Sequence, residues 1–242
     1  MNSRLQPLQA PLVENRLLRA LPIEVFNQML PQLEEVALVV GERIVIANEP
    51  IPHAYFIESG LASVTMAIAE RGTVEIAVVG RDGMVSTALV LGIEHTPLTV
   101  EVRVAGRALR IGAGALRQAM AQSSALRDIL LRYVQVVILW TSQMALANRH
   151  HSVEERLALC LLLASDRLDE GRVVMTHEML ALMLGMHRPR VTVALHELER
   201  TRMIVMRRGQ ITIRDRLKLV ELAGDSYGLA EAEYERLIGP FI

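Results

Sequence analysis

Residues 175–191 read MTHEMLALMLGMHRPRV and carry the features of two short helices joined by a tight turn. Thr176 is placed to cap the first helix, and Gly185 is placed to end it. The second helix is predicted to begin at about His187, with Val191 among the apolar residues at helical spacing that brace it. Two short helices around a glycine-containing turn are the plan of a helix-turn-helix. The stretch therefore predicts a unit of this kind in the C-terminal part of the chain.

The outer face of the second predicted helix carries side chains suited to reading DNA. The planar guanidinium of an arginine can donate two hydrogen bonds to guanine N7 and O6, or bind a phosphate. We assign to a DNA interface the following residues of the helix-turn-helix: Thr176, His187, Arg188, Arg190, Thr192 and His196. Double-stranded DNA is the partner that this pattern predicts.

Two β-branched segments follow, MIVM at 203–206 and ITI at 211–213, joined by RRGQ. They predict a hairpin wing with Arg207 and Arg208 at its tip, where a positive charge favours the phosphate backbone. Residues 187–216 contain eight arginines against three acidic residues, whereas the whole chain has a net charge of −1. A nucleic-acid surface must therefore be local, and the alternative interpretation of this segment is a solvated arginine-rich face.

The first half of the chain has a different pattern. From about Glu34 to Ile111, short β-branched runs alternate with turn residues such as Gly41, Ser59-Gly60, Gly80 and Ala105-Gly106. Strands at a spacing of roughly 8–12 residues favour an antiparallel sandwich or barrel. The chain as a whole is therefore predicted to be α+β.

Between these halves, residues 123–150 lack glycine and proline and predict one long helix. Apolar residues recur there at alternating steps of four and three, as in a coiled-coil seam. We assign to a homodimer interface Leu130, Tyr133, Val137, Trp140 and Met144; the alternative is an ordinary core helix. The sequence SVEE at 152–155 is a capping box, which predicts a new helix and a hinge near 148–152. The predicted domains are 1–122, 123–150 as dimerisation helix and hinge, and 151–242.

Composition excludes several classes of protein. With 242 residues, 51% of them hydrophobic, the chain is long enough for well-packed cores. A single cysteine, Cys160, excludes an intramolecular disulfide and a four-cysteine metal or iron–sulfur site within one chain. No apolar run approaches the roughly 20 residues of a membrane span, and Glu14 and Asn15 interrupt the apolar segment that an export signal requires. A cytoplasmic protein without a membrane partner is expected.

Three segments together resemble the Crp/Fnr family of bacterial transcription regulators: VGERI at 40–44, YFIESG at 55–60 and residues 175–191. The resemblance covers about residues 20–222. It implies a jelly-roll-like β-roll of the cyclic-nucleotide-binding type (a double-stranded β-helix), a dimerisation helix and a winged helix-turn-helix. It also implies a homodimer on a two-fold symmetric operator, with RNA polymerase as a partner if the protein activates.

The resemblance places Arg188 where relatives have a guanine-contacting arginine. Two positions depart from the family pattern, because Pro189 replaces an acidic residue and Val193 replaces a second base-reading arginine. The operator is therefore not expected to follow the family's usual sequence.

The segments that hold cyclic AMP in relatives correspond here to residues 83–87 and 96–99, and no arginine occurs between Arg81 and Arg103. A buried phosphate without a cationic partner carries a large desolvation cost. Neither cyclic AMP nor a metal is expected. The alternatives are an unknown small effector, apolar in character, or no ligand at all, with the β-roll acting as a scaffold in a protein regulated by its abundance. The candidate effector pocket consists of Gly83, Ser86 and Thr87. The candidate haem ligands are His53, His95, His150 and His151, although lone histidines rarely have that role.

Two other classes of function can be compared with a DNA-binding regulator. An enzyme is not expected, because no nucleophile–base pair, glycine-rich phosphate loop or zinc-ligand spacing is present. The other is a signalling or scaffold protein whose β-roll binds a cyclic nucleotide and whose C-terminal helices dock another protein.

Overall fold

The computed structural model describes residues 13–69, 72–168, 172–173, 175–207 and 210–241. A mostly antiparallel β-structure forms the first half, a long helix follows, and a helical region with a small sheet forms the remainder. The predicted α+β class, with an antiparallel roll, a long helix and a C-terminal helix-turn-helix, is confirmed.

The larger sheet is antiparallel and is built from six strands in the described part of the chain. They are β1 (Glu34–Leu38), β2 (Arg43–Val45), β3 (His53–Ile68), β4 (Gly72–Val79), β5 (Met84–Val85) and β6 (Leu98–Gly112). The order is β1-β6-β3-β4, with β2 paired to β6 and β5 paired to β3. The inward side chains of these strands form the core of this half.

Two predicted turns in this sheet are wrong. Ala105-Gly106 lies inside the 15-residue strand β6. Ser59-Gly60 does not end a strand but lies inside the 16-residue strand β3, at a shift in its register with β6. Gly60 has a φ of +88°, and a Cβ there would overlap the carbonyl oxygen of Val104; a Cβ at Gly106 would overlap that of Ser59. The two glycines let two bulged strands approach closely, which is a common role of glycine within a strand.

The helices of the described residues divide between the two halves. They are α1 (Arg16–Arg19), α2 (Ile23–Met29), α3 (Thr87–Val90), α4 (Ala113–Gln122), α5 (Ser124–His150), α6 (Val153–Arg167), α7 (His177–Leu184), α8 (Arg188–Arg200), α9 (Arg216–Ala223) and α10 (Leu229–Leu237). A second sheet has the order β7-β9-β8, formed by β7 (Arg172–Val173), β8 (Ile204–Arg207) and β9 (Gln210–Ile213).

Helix α5 matches the predicted long helix closely. The Ser123 hydroxyl accepts a hydrogen bond from the backbone N–H of Leu126 at 3.2 Å and so caps it. By length and composition α5 could cross a membrane, but a single such helix is weak evidence, since core helices of soluble proteins meet the same criterion. Its buried face packs against the protein's own core.

The face of α5 that was assigned to a dimer interface is used largely inside the chain. Leu130 and Tyr133 are each 1% exposed and Trp140 is 7% exposed, so a second copy cannot reach them. The assignment is therefore wrong for these three residues. Val137 and Met144 are half-buried and line an internal cavity. A repeating apolar stripe reveals that a face is covered, but not by what.

Helix α6 begins after the predicted break. Ser152 and Glu155 form the predicted capping box, with the Ser152 N–H donating to the Glu155 carboxylate at 2.6 Å. Leu157 to Ala164 are buried without interruption. α6 therefore forms the centre of the second half, in contact with α7, α8 and α9.

The C-terminal segment returns to the first half. Helix α10 packs on α5, where the Trp140 indole N–H donates to the Glu231 carboxylate at 2.9 Å. The Tyr234 hydroxyl donates to the backbone carbonyl of Asp82 at 2.7 Å. Phe241 packs against the Trp140 and Tyr234 rings. These contacts tie the end of the chain to both the sheet and the long helix.

Candidate nucleic-acid interface and neighbouring cavity

The predicted helix-turn-helix is formed by α7 and α8. The Thr176 hydroxyl accepts the backbone N–H of Met179 at 3.1 Å and caps α7. Gly185, with a φ of +61°, ends that helix in the left-handed conformation that glycine adopts without strain. The two helices pack through Leu180 on α7 and Val191 and Leu195 on α8, which are fully buried. The predicted capping and bracing residues are thus where the sequence placed them.

The opposite face of α8 is open to solvent. His187, Arg188, Arg190 and His196 are exposed on it. Val193, also on this face, is 67% exposed, which is unusual for a valine in a well-packed domain. Four of the residues assigned from sequence therefore share one accessible surface, which we call the reading face.

Two residues of the assigned set already have partners within the chain. Thr192 is half-buried and lies 3.0 Å from Nδ1 of His177, so it links α8 to α7. Arg188 pairs with Glu178 at 2.9 Å, and both side chains are more than half exposed. An exposed ion pair is worth at most about 1 kcal/mol. Arg188 can therefore exchange Glu178 for a nucleic-acid group at little cost.

The wing follows directly on α8. β8 and β9 pair antiparallel and Arg207 stands opposite Gln210, next to the connecting loop. Arg207 is exposed, and Arg208, also assigned to the DNA interface, lies outside the described residues. The described part of the hairpin thus contributes one exposed cation near its tip, Arg207.

Of the three residues assigned to an effector pocket, two line an internal cavity. Ser86 and Thr87 contribute to its wall, and the Ser86 hydroxyl donates to the backbone carbonyl of His53 at 3.0 Å. Gly83 instead lies against the Tyr133 ring, which a Cβ at that position would overlap.

The cavity has a volume of about 190 Å³ and lies where three parts of the chain meet. Its wall is mainly apolar. The sheet contributes Val78 and Val100, α5 contributes Val137 and Trp140, and the helices of the second half contribute Leu163 and Met183. Helix α7 also packs on β4 beside it. The cavity is therefore bounded by both halves of the protein, and the sequence did not reveal the contribution of the second half.

Glu75 is an acidic residue in this apolar wall and was missed by the sequence analysis. It is 6% exposed and accepts a hydrogen bond from the Ser63 hydroxyl. Burial raises its pKa from 4.5 to about 7, although Ser63 and the Arg103 charge act in the opposite direction. The sequence carried no signal for this burial, because the register of β4 with β3 shifts between Val64–Ala77 and Thr65–Glu75 and so breaks the two-residue period of a strand.

Cys160 lies in the same wall and is 2% exposed. Burial raises the pKa of its thiol, so the reactive thiolate is not formed near neutral pH. Its Sγ lies 3.6 Å from the sulfur of Met183. These contacts make Cys160 a small buried hydrophobic residue.

The four histidines considered for haem come from three separate parts of the chain. His53 lies in β3, His95 is exposed, and His150 and His151 end the long helix. Within the described ranges, no cluster of three or more His, Cys, Asp or Glu side chains is arranged to hold a metal ion. The expectation that no metal or haem is bound stays a prediction.

Comparison with known proteins adds to this geometry. Residues 155–222 match the Crp-like helix-turn-helix domain family. Among solved structures, the chain is similar to FixK2 from Bradyrhizobium japonicum, with 20% identity and a TM-score of 0.68 over 78% of this chain and 96% of that one. No curated protein matches the chain.

Two further structures have the same fold. A CRP-family transcriptional regulator from Thermus thermophilus shares 20% identity, with a TM-score of 0.63 over 78% of this chain and 97% of that one. A CooA mutant from Carboxydothermus hydrogenoformans shares 17% identity, with a TM-score of 0.62 over 84% and 95%. The resemblance stated from the sequence is confirmed: the chain has the fold of the Crp/Fnr transcription regulators, and its residues 155–222 are a Crp-like helix-turn-helix domain.

Proposed function

We propose that this chain is a sequence-specific DNA-binding transcription regulator, not an enzyme, that binds a two-fold symmetric operator as a homodimer. The observation that carries the proposal is α8, which buries Val191, Leu195 and Leu198 while exposing His187 and two arginines. A helix held by its apolar side with a basic outer side is the arrangement that enters a major groove. Such a regulator works in the cytoplasm of a bacterial cell, and meets RNA polymerase there if it activates.

The positions of the exposed residues suggest different roles for them in DNA binding. Arg188 and Arg190 lie in the first turn of α8, from which bidentate contacts to guanine are made. Val193 offers an exposed apolar group one turn later, and such groups contact the C5-methyl of thymine. Arg207 in the wing is placed for the phosphate backbone, which fixes position rather than sequence.

The homodimer that we propose uses a different face of α5 from the one assigned from sequence. Leu131, Ile138 and Leu146 are 41%, 53% and 61% exposed along the side that faces away from the core. Their steps of seven and eight residues keep them on one helical stripe. Apolar side chains repeated along a 27-residue helix are suited to pairing with the same helix of a second copy.

We further propose that a small effector controls the regulator through the cavity. The cavity touches both the sheet and α7, which packs on the helix that carries the reading face. A ligand there would change DNA binding if it binds one relative placement of the two halves better than another.

Selection of bound fragments from a random DNA pool tests the DNA-binding proposal, and a two-fold symmetric site is the expected result.

On that site, we expect Arg188→Ala and Arg190→Ala each to cost about 1–3 kcal/mol of binding free energy and to relax the base preference at one position of each half-site. Arg207→Ala should weaken binding to all sequences similarly and lower the salt slope by about 1. Fluorescence anisotropy titrations at several salt concentrations measure both effects.

The matched control is Arg236→Ala, which removes an exposed arginine of α10 that is paired with Glu233 and lies outside the helix-turn-helix. It should leave the affinity and the base preference unchanged. If Arg188→Ala and Arg190→Ala reduced binding to operator and random DNA equally, these residues would not read bases.

Ile138→Glu combined with Leu131→Glu is expected to give monomers, because two charges would be buried in the proposed α5 pairing. Loss of the second half-site should weaken operator binding by a factor on the order of 10²–10⁴. Sedimentation velocity measures the association state. Leu217→Glu is the control, since Leu217 is an 82% exposed leucine of α9 outside that stripe. A double variant that still sediments as a dimer would place the interface elsewhere.

A further inference from the structure

The cavity between the two halves has the size of a small-molecule site. An engineered apolar cavity of about 150 Å³ binds benzene, so about 190 Å³ accommodates one aromatic ring with a small substituent. Its wall consists mainly of aliphatic side chains with Trp140 on one side. The shape and chemistry therefore favour a compact apolar molecule.

One polar feature of the wall is left without a role in DNA binding. Glu75 is buried among apolar residues, and within the described part of the chain it has a hydrogen bond from Ser63 and no ion pair. Arg167, the cation in the same wall, is already paired with Asp82 at 2.9 Å. An anionic ligand would lie against an acidic side chain and meet no unpaired cation among the described residues that line the cavity, whereas a hydrogen-bond donor would find an acceptor.

We propose that this cavity binds a small apolar molecule that carries one hydrogen-bond donor, with the donor on Glu75 and the apolar body between the two halves of the protein. This inference rests on the regulatory function proposed above and names the class of its effector.

The position of the cavity defines how such a ligand would act. Cys160 of α6 and Met183 of α7 form part of its wall, and α7 packs on both β4 and α8. A ligand in the cavity therefore touches the first helix of the helix-turn-helix directly. Filling the cavity supports the placement of α7 against β4, and so sets the orientation of the reading face relative to the sheet.

The test uses the full chain, without DNA, and three probes: benzyl alcohol, toluene and benzoate. Trp140 is the single tryptophan of the sequence, and it lines the cavity, so its emission reports occupancy. We expect a saturable change with benzyl alcohol at millimolar concentration, weaker binding of toluene, and none of benzoate. The titrations are made at pH 8, above the pKa of about 7 of Glu75. There, Glu75→Leu should reduce the affinity for benzyl alcohol by about tenfold and leave toluene unchanged, since it removes a charge-assisted hydrogen bond.

A pair of variants at one position tests the location. Cys160 of α6 lies in the part of the cavity wall that the second half contributes, so the larger side chain in Cys160→Leu should fill the cavity and abolish binding. Cys160→Ala should retain binding. Circular dichroism checks that both variants fold. The inference is overturned if no probe binds the wild-type chain, if benzoate binds as well as benzyl alcohol, or if Cys160→Leu binds normally. These measurements involve no DNA, so their failure leaves the regulator proposal standing, and a failed operator selection leaves them unaffected.

Discussion

Replacing Asp82 by Asn is expected to lower the free energy of unfolding by about 3–5 kcal/mol, the largest loss that we expect from any single substitution. Asp82 and Arg167 form an ion pair with side chains 0% and 2% exposed and an Oδ2–Nη2 distance of 2.9 Å. The two atoms are not aligned for a hydrogen bond, so the contact is stabilised by the attraction between the two opposite charges. Without the carboxylate, Arg167 would be a buried charge without its counterion. Urea unfolding, followed by circular dichroism, measures the loss.

The same pair joins the two halves of the protein. Asp82 follows the strand β4, and Arg167 ends the helix α6, where its guanidinium lies 4.5 Å from the centre of the Trp140 ring. Gly80 packs so closely on Arg167 that a Cβ there would overlap its side chain. We therefore expect Asp82→Asn to weaken the packing of the second half on the sheet, in addition to lowering the free energy of unfolding of the whole protein.

The double variant Asp82→Asn with Arg167→Met separates charge from packing. Removing both charges should recover part of the loss, because neither is then left buried alone. Glu233→Gln is the control, since its solvent-exposed pair with Arg236 should contribute little to stability. A loss below about 1 kcal/mol for Asp82→Asn would mean that water or another group compensates Arg167.

The helix-turn-helix could be predicted from sequence because its determinants are local. Thr176 and Gly185 act on backbone groups within a few residues, and the apolar spacing of α8 follows from the helical period. The exposed side chains of its first turn follow from the same period. For this reason the sequence alone places His187, Arg188 and Arg190 on the accessible face.

Features that depend on distant parts of the chain could not be predicted. The strand β3 continues through Gly60 because Gly106 lies across from it, 46 positions later. The Trp140 face of α5 is covered by α10, through a hydrogen bond to a residue 91 positions away. A seven-residue repeat identifies an apolar stripe, but the partner of that stripe is a property of the tertiary structure.

The burial of Glu75 in the strand β4 likewise could not be predicted from the local sequence. The run from Thr73 to Val79 reads as a half-buried strand, and a glutamate in such a run is expected on the solvent side. Instead, an extra residue in β4 shifts its register with β3 between the pairs Val64–Ala77 and Thr65–Glu75, so the alternation is broken and the Glu75 side chain is buried.

That environment predicts a specific dependence of stability on pH. Burial raises the pKa of Glu75 from 4.5 to about 7, against the opposing influence of Ser63 and Arg103. The folded state then binds the proton more tightly than the unfolded state, so this contribution is complete below about pH 4.5 and is lost as the pH rises to about 7. Each tenfold change in proton affinity is 1.36 kcal/mol, so the full loss is about 3 kcal/mol.

Glu75→Gln removes this titration while keeping the size of the side chain. Relative to the wild-type chain, the variant should therefore gain about 3 kcal/mol of stability between pH 4.5 and pH 8, as measured by urea unfolding at a series of pH values. Glu233→Gln is the control, because the hydrogen bond from Arg236 lowers the pKa of this exposed carboxyl and any effect should be small and opposite in sign. If the difference between Glu75→Gln and the wild type were the same at every pH, the Glu75 carboxyl would have an ordinary pKa, and water or a nearby cation would have to reach it in the folded protein.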